Sequence, residues 1–191
     1  MKGKQLIGVS LAGLAIAISL GTFNEGKAVE RSTIDLATLH SSTVSQHNTY
    51  RAVHHAPDLT SDNSLKSSAQ DWANQLASTG VFEHSGVSGV GENLYVSYTT
   101  QPSIIADTLA TSAIQAWYEE VADYNYANPG FSSATGHFTQ VVWQGSTQLG
   151  CGAAQGAKTI NGRQYNAFYV VCHYAPPGNV LGQFSANVQQ P

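Results

Sequence analysis

The stretch Gly136-His137-Phe138-Thr139-Gln140-Val141-Val142-Trp143 opens an apolar run on a histidine and closes it on a tryptophan, and Gly150-Cys151-Gly152 follows shortly after. Its length and pattern predict a short helix that packs Phe138, Val141, Val142 and Trp143 inward and holds His137 at one end. On either side lie Gly91-Glu92-Asn93-Leu94-Tyr95, which alternates as a strand does, and Val171-Cys172-His173-Tyr174.

Working outward, the chain reads as helices on one side of this centre and a hairpin on the other. Val44, Tyr50 and Val53 flank His47-Asn48-Thr49-Tyr50-Arg51 and predict a first helix ending near Pro57, after a polar lead-in over 29–43. Asp58 to Ser64 is turn chemistry that supplies an N-cap. Leu65, Ala69, Trp72, Ala73 and Leu76 then recur at helical spacing until Gly80. Thr99 to Thr108 reads as a polar connector, and Ile114, Trp117, Tyr118 and Val121 as part of another helix. Two strands, Leu149–Ala154 and Tyr165–Tyr174, are joined through Asn161-Gly162, a strong hairpin dipeptide. The pattern is α+β, with no internal repeat.

Lys2 and Lys4, the apolar run Leu6 to Leu20 and the small residues of Gly26-Lys27-Ala28 predict a secretory signal over residues 1–28, cleaved after Ala28. The run is about 15 residues, short of the roughly 20 that cross a bilayer. The expected mature chain has 5 basic and 11 acidic side chains, net −6. Without a basic cluster, nucleic acid and anionic membranes are excluded as natural partners. Cys151 and Cys172 are the only cysteines. An even count behind an export signal predicts a disulfide that staples the hairpin rather than a catalytic thiol.

Taken together, His47-Asn48 with Arg51, Gly91-Glu92-Asn93-Leu94, Trp117-Tyr118-Glu119-Glu120, the stretch 136–143, and Val171-Cys172-His173-Tyr174 with Pro177-Gly178-Asn179 resemble the CAP superfamily (SCP domain). That superfamily groups cysteine-rich secretory, antigen-five and pathogenesis-related proteins. The likeness is to its single-domain secreted members, with the domain over residues 44–188. It implies a three-layer α-β-α sandwich around a mainly antiparallel sheet, in an extracellular, monomeric protein. It also implies a central cleft built from His84, Glu92, Glu120 and His137. Two imidazoles could hold zinc or another divalent cation, with the carboxylates completing the shell or poising a water.

The segment Tyr124-Asn125-Tyr126-Ala127-Asn128-Pro129-Gly130-Phe131 resembles the aromatic loop that sterol-binding members carry, which makes Tyr124, Tyr126 and Phe131 candidates for sterol or fatty-acid contact. Three functions follow from these features: a metal- and lipid-capable binding protein, a metal-assisted hydrolase using the same cleft, or a module binding peptide, glycan or receptor. Of the remaining histidines, His47 is expected to support structure, His54 and His55 to lie on the surface, and His173 to point outward from its strand.

Overall fold

The computed structural model describes residues 33–191; the expected signal segment 1–28 lies outside them. Helix α1 (Leu36–Val53) starts inside the segment read as a polar lead-in, because the Asp35 carboxylate accepts from the Ala37 and Thr38 amides and caps it. One stripe of α1, Leu39, Thr43, His47 and Arg51 at four-residue spacing, is buried. Helix α2 (Asn63–Thr79) is capped by Asp62, whose side chain accepts from Leu65 N at 2.8 Å, and ends at Gly80 with φ 67°.

The sheet has four strands in the order β1-β3-β4-β2: β1 (Thr60–Ser61), β2 (Gly91–Thr99), β3 (Gln148–Ile160) and β4 (Arg163–Ala175). Only the two-residue β1 runs parallel to its neighbour; the other pairings are antiparallel. β3 and β4 are longer than the alternation predicts. They meet at Asn161 and Gly162, whose φ values of 51° and 78° suit a tight hairpin turn.

Helix α2 covers one face of the sheet, burying Ala69, Ala73 and Leu76 against Leu94, Tyr169 and Val171. Gly150 and Gly152 of β3 permit this, since a Cβ on either would run into the backbone of α2. The other face carries the larger core, in which α1, α3 (Ala106–Glu119) and α4 (Gly136–Val141) bury Leu39, Leu109, Ile114, Trp117, Phe138 and Val141 against Leu149, Phe168 and Val170. Helix α3 begins within the segment read as a connector, and a 3-10 turn over Glu120–Asp123 continues it. Helices on both sides of a mostly antiparallel sheet make the expected α-β-α sandwich. Cys151 and Cys172 face each other in the β3–β4 register and form the disulfide.

Candidate functional site

The four sequence-predicted residues sit on four different segments. His84 lies in the loop after α2, Glu92 near the start of β2, Glu120 at the end of α3 and His137 in the first turn of α4. The structure joins them as two pairs. His84 Nδ1 donates to Glu92 Oε1 at 2.6 Å, and His137 Nδ1 donates to Glu120 Oε1 at 2.7 Å. All four side chains are largely buried, and His84, Glu92 and His137 line one small cavity of about 60 Å³, with Phe131 and Asn179 at its wall.

Each carboxylate is fully committed. Glu120 Oε2 accepts from the His137 and Phe138 amides at 2.9 and 3.1 Å, which ties the end of α3 to the start of α4. Glu92 Oε1 also accepts from Ser85 N at 2.9 Å, and its Oε2 accepts from His173 Nε2 at 2.8 Å. Burial alone would push Glu92 up. The hydrogen bonds from His173, His84 and Ser85 outweigh it and hold the carboxyl down at about 2.

His173 therefore does not point outward; it is fully buried under α2 beside Glu92. His54 is the second correction. It is buried rather than exposed, donating and accepting between Gln189 O (2.8 Å) and Tyr118 Oη (3.0 Å), because the last residues of the chain fold back over it. His55 is exposed as expected. His47 supports structure: its Nδ1 donates to Thr43 O, and its Nε2 accepts from Tyr174 Oη, which in turn accepts from Asn93. Asn93 also donates to His137 O at 3.1 Å, so α1 is connected to the cleft through three buried side chains.

The aromatic loop divides. Tyr124 is buried edge-on against Phe138 and Tyr126, Tyr126 stacks over His54, and only Phe131 reaches the cavity. Tyr126 and Pro129 border a separate hollow of about 340 Å³ with His55 and Val188.

Residues 44–174 match the profile of the cysteine-rich secretory protein family, CAP. The chain belongs to the CAP family. The domain is 40% identical over 148 residues to Protein PRY2 of Saccharomyces cerevisiae, covering 77% of this chain and 40% of that protein. It is 36% identical over 158 residues to the Golgi-associated plant pathogenesis-related protein 1 of Homo sapiens, covering 80% of this chain and 93% of that one. It spans about a third of the Secreted protein RBT4 of Candida albicans, 34%, at 44% identity. Among solved structures, NaASP2 with Zn2+ superposes with a TM-score of 0.63 at 26% identity over 81% of this chain and 87% of that one. BmVAL-1 gives the same TM-score at 28% identity over 81% and 84%.

The donor set of this CAP domain is arranged around its two imidazoles. Among the described residues no three His, Cys, Asp or Glu side chains are grouped as metal ligands. Because both carboxylates are taken by imidazole and amide N–H groups, they are arranged to orient the histidines rather than to ligate. With Nδ1–H given to a carboxylate, a neutral imidazole carries its lone pair on Nε2.

Proposed function

We propose that this CAP domain is a secreted binding protein whose cleft holds a divalent cation between His84 and His137. The observation that carries the reading is the pairing of each cavity-lining imidazole with a buried carboxylate through Nδ1, the arrangement that aims metal-binding histidines in many proteins. The related NaASP2 structure with Zn2+ supports zinc as the ion. When bound, zinc would supply a Lewis acid. The chain's own residues aim the imidazoles, and Phe131 forms part of the cavity wall.

Binding is favoured over hydrolysis because neither carboxylate is available as a base. Glu92 and Glu120 each accept from three donors already, and a carboxyl held at about 2 is a weak base. Calorimetric titration of zinc into metal-free protein tests the reading. One ion is expected to bind, and H84A/H137A is expected to abolish the heat; a double variant that binds as well as the wild type overturns it. Secretion is tested on the exported chain, whose N-terminal residue is expected to be Val29.

A second reading concerns the hollow of about 340 Å³ beside Tyr126 and Pro129, where the Tyr126 ring, Pro129 and Val188 offer an apolar strip, among polar Ser185, Gln189 and Gln190, on which part of a sterol or fatty-acid body could rest. Labelled sterol and labelled palmitate are each expected to co-elute with the protein, with Y126A lowering retention. Absence of retention for both removes this reading.

A further inference from the structure

Tyr50 and His54 stand one turn apart at the end of α1, and between them they hold one ring of α3. Tyr118 lies face to face with Tyr50, with ring centroids 3.8 Å apart and planes 15° from parallel. Its hydroxyl meets His54 Nε2 at 3.0 Å, and the His54 and Phe138 rings pack against it at steep angles of 64° and 71°. Three neighbours thus fix the Tyr118 ring, yet both it and Tyr50 remain partly exposed. Tyr124 and Tyr126 also touch, but they cross at 83°.

The difference between the two pairs is chemical. An oxidised phenol carries much of its unpaired electron on the ring carbons ortho to the oxygen. A separation of 3.8 Å is carbon–carbon contact, so a small slide brings an ortho carbon of Tyr50 over one of Tyr118. The steep Tyr124–Tyr126 crossing presents a ring edge to a ring face instead. Tyr118 also has a proton acceptor at hand. His54 gives its Nδ1–H to Gln189 O, which leaves the Nε2 lone pair to accept the Tyr118 hydroxyl. Burial, and then the neighbouring Tyr50, raise the Tyr118 phenol above its usual 10, so the ring holds its proton at neutral pH until an electron leaves. Competing groups are few. Met1 is the only methionine, and Cys151 and Cys172 are joined, so no free thiol or thioether of the described domain takes the oxidant first.

We propose that Tyr50 and Tyr118 form an oxidative modification site, at which hydrogen peroxide acting through a haem peroxidase ties α1 to α3 by a dityrosine bond. Each phenol gives up one electron and its hydroxyl proton, Tyr118 to His54 Nε2 and Tyr50 to water. The two phenoxyl radicals couple through one ortho carbon each, forming a single C–C bond. The hydrogen on each of those carbons then moves to the ring oxygen and restores two phenols. Two electrons and two protons leave the protein in all, and they reduce one hydrogen peroxide to two waters. The site is separate from the cleft and needs no cation there.

The test treats dilute protein with hydrogen peroxide and a soluble haem peroxidase, then isolates the monomer under denaturing conditions. Dityrosine fluorescence, intact mass and peptic peptide mapping are read on that fraction. The wild-type monomer is expected to fluoresce, to be lighter by two hydrogens, and to yield one linked peptide pair containing Tyr50 and Tyr118. Y50F and Y118F keep the stacked rings without one phenol, and each is expected to lose the linked pair and the monomer fluorescence. Y126F is expected to retain both. Dityrosine found only between chains overturns the proposal, as does a monomer cross-link that maps to Tyr124 and Tyr126. So does monomer fluorescence in Y50F equal to that of the wild type. The wild-type peptide map decides the matter even if a variant fails to fold.

Discussion

His47 Nε2 lies 2.7 Å from the hydroxyl of Tyr174, deep between α1 and the sheet, and neither ring touches solvent. Because Nδ1–H is given to Thr43 O, the ring must be neutral to accept from Tyr174. Burial, helped by the nearby Arg51 charge and only partly offset by the Thr43 bond, pulls His47 down from 6.5 to about 4. The unfolded chain takes up this proton near 6.5 and the folded chain only near 4. Stability is therefore fully present above 6.5, is lost as pH falls from 6.5 to about 4, and then levels. The gap corresponds to roughly 3 kcal/mol. Burial lowers His54 and His40 as well, with the same sign. Urea midpoints measured between pH 7.5 and 4 are expected to show this slope, and H47Q is expected to flatten it. An unchanged slope in H47Q would assign the proton uptake elsewhere.

Arg51 is buried without a carboxylate partner among the described residues. Its guanidinium instead donates to four carbonyls: Pro57, Val141, Trp143 and Ser146, at 2.8 to 3.0 Å. Burial pulls it down only to about 10, so it stays charged at neutral pH. R51M strands those four acceptors and is expected to cost on the order of 3–5 kcal/mol in equilibrium unfolding. R51K is expected to recover less than half of that, because one ammonium cannot span the fork that reaches both the α1 turn and the segment after α4.

How far the sequence could be read depended on whether a residue's surroundings were local. Asp62, the apolar spacing of α2, Gly80 and Asn161-Gly162 each act through neighbours within a turn, and each appears in place. The grouping of His84, Glu92, Glu120 and His137 was legible only through the family likeness, since no spacing between them is a local metal motif. His173 and His54 were misread for a common reason. One is buried by the pairing of β4 with β2 under α2, the other by Gln189 folding back, and neither contact leaves a trace in the residues beside it. The far end of β3 was hidden because Gln155, Gly156, Ala157, Lys158 and Thr159 show no apolar alternation; Gly156 is there to admit α2, since a Cβ on it would meet the main chain of Ala77.

That close approach is itself testable. A methyl group on Gly150 or Gly152 collides with the main chain of α2, which cannot yield as a flexible side chain would. G150A and G152A are each expected to lose roughly 1–3 kcal/mol or more by thermal unfolding. G130A, where an added Cβ meets nothing within 4 Å, is the control and is expected to stay within about 0.5 kcal/mol of wild type. Equal losses at Gly130 and Gly150 would mean that the α2 contact does not set the cost, since the entropy effect of a Gly-to-Ala change alone is stabilising.

The disulfide and His173 occupy opposite faces of β3 and β4, and this separates their effects. Cys151 and Cys172 point into the core under α1 and α3, whereas Gly150 and His173, one position along each strand, point toward α2. Replacing both cysteines by alanine opens a loop with a sequence separation of 21 and is expected to cost about 3 kcal/mol, lowering Tm by about 6–12 °C for a domain of this size. The bonds from His173 and His84 to Glu92 do not depend on that core, so the ring 15N resonances of His84 and His173 in C151A/C172A at 25 °C are expected to match wild type. Shifted ring resonances in the folded double variant would show that the staple holds β4 in register for the cleft, and would tie the site's geometry to the redox state of the chain.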